Sequence, residues 1–287
     1  MSSPRRESWL SAKRKRIQFT LRMVFMLILF LAVGFKIFAS HLHRAQRQHQ
    51  AVSDIRAIGG NVYMHYTGPY EGGTSWLDPR KPKSSWWRDR LGDDFFDTVH
   101  RVELSGPATN DTMDSLRHVK SLRQLYLRVD ENSTVTDRGM RQIGSLDTLQ
   151  FLGLRGYKIM DDDLAHVTQL TQLTELYLEG TNVADKGLAR LRRLTNLEAI
   201  GLSKYSSFEE DTYSRVDKFI TDKGLVHLQA MRNLKRLGLQ GNKITDRGLR
   251  YLATFDKLEE LRIQHTDVTE EGVRQFKAAR PNCNVRF

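Results

Sequence analysis

One short pattern recurs along the C-terminal two thirds of this 287-residue chain. Leu149-Gln-Phe-Leu-Gly-Leu154 returns 24 residues later as Leu173-Thr-Glu-Leu-Tyr-Leu178, and after another 24 residues as Leu197-Glu-Ala-Ile-Gly-Leu202. Four further copies complete a set of seven; they begin at Val99, Leu122, Leu234 and Leu258. A fixed period of this length predicts stacked structural units, because one unit can bury its apolar residues only against the next.

Each copy changes its apolar spacing halfway along. The first half alternates, which predicts a strand, whereas residues such as Leu188, Leu191 and Leu194 recur every three positions, which predicts a helix. The chain should therefore form an α/β solenoid with a layered core; one layer would contain Leu176, Leu178, Val183, Leu188, Leu191 and Leu194. Longer gaps between copies predict loop insertions at 130–134 and at about 205–218. Residues 284–287 should add a last strand that closes the C-terminal end.

Two kinds of polar residue also recur in register. Thr181, Asn242 and Thr266 occupy equivalent bends, where a short polar side chain can bond passing backbone groups. Acidic residues stand at the start of each predicted helix after a Thr or Ala; the regular examples are Asp137, Asp185, Asp222 and Asp246. Since an acidic or hydroxyl side chain at that position accepts backbone N–H bonds, we interpret these residues as helix caps and not as metal ligands or acid/base groups.

The combined pattern LxxLxLxxTxVTDxGLxxLxxL, over about residues 99–287, resembles the leucine-rich repeat, in the subclass shared by F-box partner proteins and many bacterial proteins. Residues 51–63 and 86–104, together with the apolar segment described next, resemble membrane-anchored leucine-rich-repeat proteins of planctomycete bacteria. The resemblance implies a right-handed α/β horseshoe whose concave face binds other proteins. It implies no catalytic residue.

An apolar segment occupies 17–38, beginning with Ile17 and ending with Phe38. As a helix it is about 33 Å long, enough to cross a bilayer, and the basic residues before it favour a cytoplasmic N-terminus. We favour an uncleaved anchor over a cleaved signal peptide or a buried core helix. The predicted organisation is a basic cytoplasmic arm (1–16), a transmembrane helix (17–38), a helical stalk (39–60), a tryptophan-bearing N-terminal cap (61–98) and the repeat domain (99–287).

Three of the four tryptophans, Trp76, Trp86 and Trp87, fall in the predicted cap, after a short predicted strand at 61–66. One interpretation is that they cover the open end of the repeat core. The other is that they lie in a membrane interface, where tryptophan is enriched. We favour the first, because more than forty residues of sequence separate this segment from the apolar helix.

Composition and motifs argue against several function classes. Residues 1–60 hold 11 of the 45 Lys and Arg but only 2 of the 34 Asp and Glu, so the basic character belongs to the N-terminal arm and predicts no nucleic-acid partner. The single Cys283 excludes an intramolecular disulfide, and we expect it to be a small packed residue. His41, His43 and His49 point in divergent directions on a helix, so we do not expect them to bind a metal ion together. The sequence carries no motif of a common enzyme class, so we predict no enzyme activity, no cofactor and no metal.

The candidate site is the surface between the strand leucines. Stacking the copies places five residues on adjacent strands as a predicted partner-binding patch: Tyr126, Arg128, Phe151, Arg155 and Tyr177. Aromatic residues and arginine dominate binding hot spots, and Gly153, Gly201 and Gly238 would leave a shallow floor beside them. The plainer interpretation is that these side chains only cover the sheet. The predicted function is non-catalytic recognition of a protein partner, or scaffolding, at a membrane. The alternatives are an F-box-like substrate-recognition subunit of a ubiquitin ligase and a structural spacer.

Overall fold

The computed structural model describes residues 4–65, 86–119, 121–204 and 216–287, with side chains described over the same ranges except at 4–22, 65, 93 and 94. Within these ranges one sheet contains the strands in chain order. The strands are β1 (Asn61–His65), β2 (Thr98–Leu104), β3 (Gln124–Arg128), β4 (Phe151–Arg155), β5 (Glu175–Tyr177), β6 (Ala199–Gly201), β7 (Arg236–Gly238), β8 (Glu260–Arg262) and β9 (Asn284–Arg286). From β2 onward each strand is parallel to the next, whereas β1 is antiparallel to β2.

One helix follows each strand from β2 to β8, as the change of apolar spacing predicted. Three helices precede the repeats: α1 (Pro4–Ala57), α2 (Trp86–Leu91) and α3 (Asp93–Phe96). The repeat helices are α4 (Asn110–Leu116), α5 (Asp137–Gly144), α6 (Leu164–Val167), α7 (Asp185–Arg190), α8 (Asp222–Leu225), α9 (Asp246–Leu252) and α10 (Glu270–Ala279). Short 3-10 turns, Leu191–Arg193 and Val226–Ala230, extend α7 and α8. The seven predicted strand–helix copies are confirmed, and most of the predicted insertion at 205–218 lies outside the described residues.

The core consists of leucines that pair in register from strand to strand. Leu152 is the register partner of Leu176, which in turn partners Ile200, and all three are buried. The six residues of the predicted layer around Leu176 are likewise buried. Since a fully buried leucine contributes about 1.5–3 kcal/mol, each layer supplies a large share of the stability of its repeat.

The two ends of the sheet are closed by different elements. At the N-terminal end β1 pairs with β2, and Ala51, Val52 and Ile55 from the last turns of α1 join the core. At the C-terminal end β9 adds the predicted closing strand, and Cys283 just before it is buried. The prediction that tryptophans cover the N-terminal end is wrong for the two described ones, since Trp86 and Trp87 are exposed and the C-terminal part of α1 provides the cover. Trp76 lies outside the described residues.

The threonine and the aspartate of the repeated Thr-Asp pair cap different helices. Thr245 accepts a hydrogen bond from the backbone N–H of Arg247 in its own helix. Asp222 reaches forward to the following repeat, where it accepts from the backbone N–H of Thr245 (3.0 Å) and from its hydroxyl (2.6 Å). Asp246 accepts from Thr269 in the same way, at 2.8 and 2.7 Å. The predicted capping role is confirmed for three of the four aspartates, Asp185, Asp222 and Asp246, but they bond the start of the next helix and thereby join neighbouring repeats. Asp137 instead bonds the side chains of His166 and Arg141.

The glycine two residues after each aspartate makes this contact possible. A Cβ atom added at Gly248 would lie 2.4 Å from Oδ1 of Asp222, and one at Gly272 would lie 2.1 Å from Oδ1 of Asp246. Real Cβ atoms do not approach oxygen so closely, so any larger residue would displace the carboxylate. The Thr-Asp-x-Gly pattern therefore combines a cap for one helix, a cap for the next, and the space that the preceding aspartate needs.

The bends after the strands hold buried polar residues, as predicted. Thr181 donates to the backbone oxygen of Leu178 (3.1 Å), and the side-chain amide of Asn242 donates to that of Leu202 (2.7 Å). Lys204 has an unexpected role at the equivalent bend of the repeat with the long insertion. Its side chain is 1% exposed, and Nζ donates to the backbone oxygens of Thr181 (2.9 Å) and Val183 (2.6 Å). Burial lowers the pKa of Lys204 to about 8.

Helix α1 is one continuous helix through the segments predicted as membrane span and stalk. Within it, Met23–Ala57 contains a stretch long and apolar enough to cross a membrane, and that stretch is wholly exposed. Exposure is inconsistent with a buried core helix, whereas a membrane anchor and a signal sequence share this length and composition.

Candidate partner-binding face

The residues between the core leucines point away from the core and form what we call the outer sheet face, the solvent side of β1–β9. Strand register determines which of these side chains are neighbours. Tyr126 is the register partner of Gly153, which partners Tyr177, and Phe151 lies between Gln124 and Glu175. The stacking predicted from the repeat spacing therefore agrees with the observed register.

Three aromatic rings form a ladder across β3, β4 and β5. The ring centroids of Tyr126 and Phe151 lie 4.3 Å apart, and those of Phe151 and Tyr177 lie 5.3 Å apart with nearly parallel planes. The predicted adjacency of these rings is confirmed. All three are half-buried, so their packing holds them rigid while part of each ring stays accessible.

The glycines beside this ladder do not form the open floor that the sequence predicted. A Cβ atom at Gly153 would lie 3.1 Å from Cδ1 of Tyr126, and one at Gly201 would lie 2.5 Å from Cδ1 of Tyr177. Each tyrosine ring therefore covers the glycine of the next strand. Gly238 is covered by a polar side chain instead, since a Cβ atom there would lie 2.9 Å from Oε1 of Gln240. It lies in a shallow depression that also contains Arg236 and Arg262.

Two residues that sequence reasoning missed extend the ladder toward the N-terminus. The guanidinium of Arg101 lies 4.5 Å from the ring centroid of Tyr126 and 5.2 Å from that of Tyr63 on β1. Glu103 holds this arrangement, since it forms an ion pair with Arg101 and accepts from the Tyr63 hydroxyl at 3.1 Å. The alternation at residues 61–66 predicted a strand, but its antiparallel pairing with β2, which brings Tyr63 to the site, is not encoded in the repeat pattern.

The two predicted arginines lie beside the ladder. Arg128 and Arg155 are direct register partners at the ends of β3 and β4, and both are half-buried. The geometry therefore brings together all five predicted residues on three neighbouring strands.

Hydrogen bonds fix the C-terminal side of the ladder. The Tyr177 hydroxyl donates to Glu175 (3.1 Å), which forms an ion pair with Arg236 (3.0 Å). Burial and the Glu175 charge raise the pKa of Tyr177 to about 12, and burial raises the pKa of Tyr126 as well. Both tyrosines thus stay neutral at physiological pH and offer an apolar ring with a polar end.

This arrangement is suited to binding. The five-residue patch offers apolar ring surface beside two cations. Among the described residues, no group of three or more His, Cys, Asp or Glu side chains has the geometry to hold a metal ion.

Comparison with known proteins identifies the repeat. Residues 230–253, which contain β7 and α9, match the sequence family described as Leucine Rich repeat. No curated protein matches the chain. A leucine-rich-repeat protein of Leptospira interrogans is 17% identical with a TM-score of 0.42, over 66% of this chain and 49% of its own. An internalin of Listeria monocytogenes is 14% identical with a TM-score of 0.38, over 60% of this chain and 56% of its own. Pollen Receptor Kinase 3 is 16% identical with a TM-score of 0.36, over 60% of this chain and 76% of its own. The chain spans about half the length of the first two proteins.

Proposed function

We propose that this protein is a membrane-anchored recognition or scaffold protein, without catalytic activity, that binds a protein partner through its outer sheet face. The single observation that carries the proposal is the ladder of Tyr126, Phe151 and Tyr177 beside Arg128 and Arg155. A rigid aromatic surface loses little conformational entropy on binding, and arginine can bond a partner in several directions. A leucine-rich-repeat fold is consistent with such a role.

The charge of the patch indicates the kind of partner segment. Arg128 and Arg155 are adjacent on β3 and β4. Two ion pairs on the same face, Arg101 with Glu103 and Arg236 with Glu175, flank the ladder on either side. A segment that presents aromatic or aliphatic residues next to a carboxylate would complement both parts of the patch.

The proposed anchor is α1, with the N-terminus in the cytoplasm and the repeats on the other side of the membrane. Supporting this are the exposed apolar stretch within Met23–Ala57 and the basic residues that precede it. Protease treatment of intact cells tests this topology. Digestion of the repeats from outside is expected, and protection of the repeats with an accessible N-terminus would contradict it.

The binding proposal is tested with the double variant Tyr126→Ala/Phe151→Ala of the full-length protein in a crosslinking pull-down. We expect loss of the specifically captured protein while the circular dichroism spectrum is unchanged. The matched control is Met160→Ala/Val226→Ala, which removes two exposed apolar side chains, each 47% exposed, outside the ladder. Equal capture by both double variants would remove the patch as the binding site, and recovery of ubiquitin-ligase components would favour the alternative role.

A further inference from the structure

Two adjacent tryptophans are exposed at the start of α2. Trp86 is 62% and Trp87 is 60% exposed, and their ring centroids lie 4.2 Å apart in an edge-to-face arrangement. Tryptophan is highly buried on average, so two exposed rings in contact mark a surface that meets something other than water. They contribute nothing to the repeat core, which α1 and β1 close.

The short helix α3 packs against α1, and α2 is linked to α1 through a buried ion pair. Arg88, the residue after the tryptophan pair, forms a bidentate buried ion pair with Asp97 (2.6 and 2.9 Å). The backbone oxygen of Asp97 accepts from the side-chain amide of Gln48 on α1 at 3.0 Å. The position of the tryptophans relative to α1 is therefore determined by buried polar contacts, not by a free loop.

The attachment begins at the end of the apolar segment. The ring of Phe95 on α3 lies 5.8 Å from that of Phe38, the last residue of the predicted membrane span, and 6.4 Å from that of His41. The helix that follows the tryptophans thus contacts the end of the apolar segment, although more than forty residues of sequence lie between them. This contact removes the reason for favouring a core cap over a membrane interface.

The depth of a bilayer interface matches this region of α1. The polar headgroup layer adds about 5–8 Å on each side of the hydrocarbon core, whereas the ten residues from Phe38 to Gln48 rise about 15 Å along a helix. If α1 crosses the membrane up to Phe38, then Phe95 of α3 lies at the inner edge of the headgroup layer, and Gln48 lies about 7–10 Å outside that layer. Tryptophan prefers this layer because its ring is apolar and its N–H needs a polar partner.

We propose that Trp86 and Trp87 insert into the headgroup layer of the membrane that α1 spans and so form a second attachment of the repeat domain to the lipid surface. This inference rests on the membrane anchor proposed above. We choose lipid over a protein partner as the occupant because the segment that carries the pair is linked to α1 at Gln48 and contacts it at Phe38, the end of the exposed apolar stretch. Two attachments would limit rotation of the repeats about α1.

The test uses tryptophan fluorescence of the full-length protein reconstituted into phosphatidylcholine vesicles. Trp9→Phe and Trp76→Phe are introduced together, so that only Trp86 and Trp87 emit. Vesicles contain lipids brominated either near the headgroups or deep in the acyl chains. We expect blue-shifted emission that is quenched most by the shallow bromines. Emission at the wavelength of water-exposed tryptophan, with no quenching by either lipid, would overturn the proposal.

Flotation of the same vesicles separates this inference from the anchor. Protein that floats with the vesicles but shows unquenched tryptophan refutes the interface contact and leaves the anchor intact. Protein that does not float refutes both. A matched variant adds Trp86→Ser, Trp87→Ser and, as a distant reporter at an exposed position, Phe287→Trp. This variant is expected to float while its emission remains unquenched.

Discussion

The contact between Asp222 and Gly248 allows a quantitative test of how the repeats are joined. Asp222 accepts two hydrogen bonds from Thr245 at the start of α9, and removal of a capping side chain of this kind costs about 1 kcal/mol. Gly248→Ala places a Cβ atom 2.4 Å from the same carboxylate oxygen. The carboxylate must then swing away and give up its bonds, so the glycine substitution removes the cap as well.

The two substitutions should therefore not be additive. We expect Asp222→Ala to lower the free energy of unfolding by about 1 kcal/mol in the natural sequence and by close to zero in the Gly248→Ala background, a coupling of about 1 kcal/mol. Ala is a better helix former than Gly by about 1 kcal/mol, which offsets part of the cost of the single Gly248→Ala change. In the double variant, the added Cβ atom at position 248 still lies 2.8 Å from Cγ2 of Ile244 and 3.0 Å from Cδ1 of Leu225. The double variant therefore retains some steric strain.

Urea unfolding of the full-length protein in detergent, followed by circular dichroism, measures these differences if the slope of the free energy against urea is unchanged. Lys223→Ala, at the exposed neighbour of Asp222, is the control and should change stability by less than about 0.5 kcal/mol. An equal cost of Asp222→Ala in both backgrounds would refute the reasoning, because it would mean that the glycine does not make room for the carboxylate.

Three further predictions concern buried and titrating groups. Burial lowers the pKa of Lys204 from 10.5 to about 8, so between pH 8 and pH 10.5 the unfolded chain binds more protons than the folded one. The free energy of unfolding should therefore rise with pH over this range. Lys204→Met should abolish the rise, measured by unfolding at a series of pH values. Hydrogen bonds from Thr269 lower the pKa of Asp246. The contribution of Asp246 to stability is therefore present above about pH 4 and is lost as the pH falls through the lowered pKa. Asp246→Asn should make the free energy of unfolding depend less on pH in this acidic range. Arg88→Ala leaves the Asp97 carboxylate buried without its cation and should cost about 3–5 kcal/mol, measured by the urea midpoint, whereas Arg90→Ala on the exposed side of α2 should cost little.

The repeat sequence predicted the strands, the helices and the neighbours on the outer sheet face because a solenoid converts sequence period directly into spatial register. Tyr126, Phe151 and Tyr177 could be placed side by side from their spacing alone. The reach of a side chain into another repeat is not contained in that period. Asp222 was correctly assigned as a cap, but for the wrong helix. Gly153 and Gly201 were expected to leave a shallow floor, but the neighbouring tyrosine rings cover them.

Elements outside the repeats were harder to predict, because no period constrains them. The antiparallel pairing of β1 brings Tyr63 to the ladder, and the contact of Phe95 with Phe38 brings α3 to α1. Each contact joins segments more than thirty residues apart. Sequence distance was used as a measure of spatial distance for the tryptophans, and in a folded chain it is not one.

The position of the aromatic ladder within the solenoid has a consequence for how a partner could approach. The ladder begins at Tyr63 on β1, which follows α1 after Gly59 and Gly60, and ends at Tyr177 on β5. The strands β7–β9 instead carry charged residues on this face, including Arg236, Arg262 and Glu260. The hydrophobic part of the outer sheet face thus lies in the half of the solenoid that is attached to the proposed anchor. A partner attached to the same membrane therefore needs to extend over only this half of the solenoid to contact the ladder.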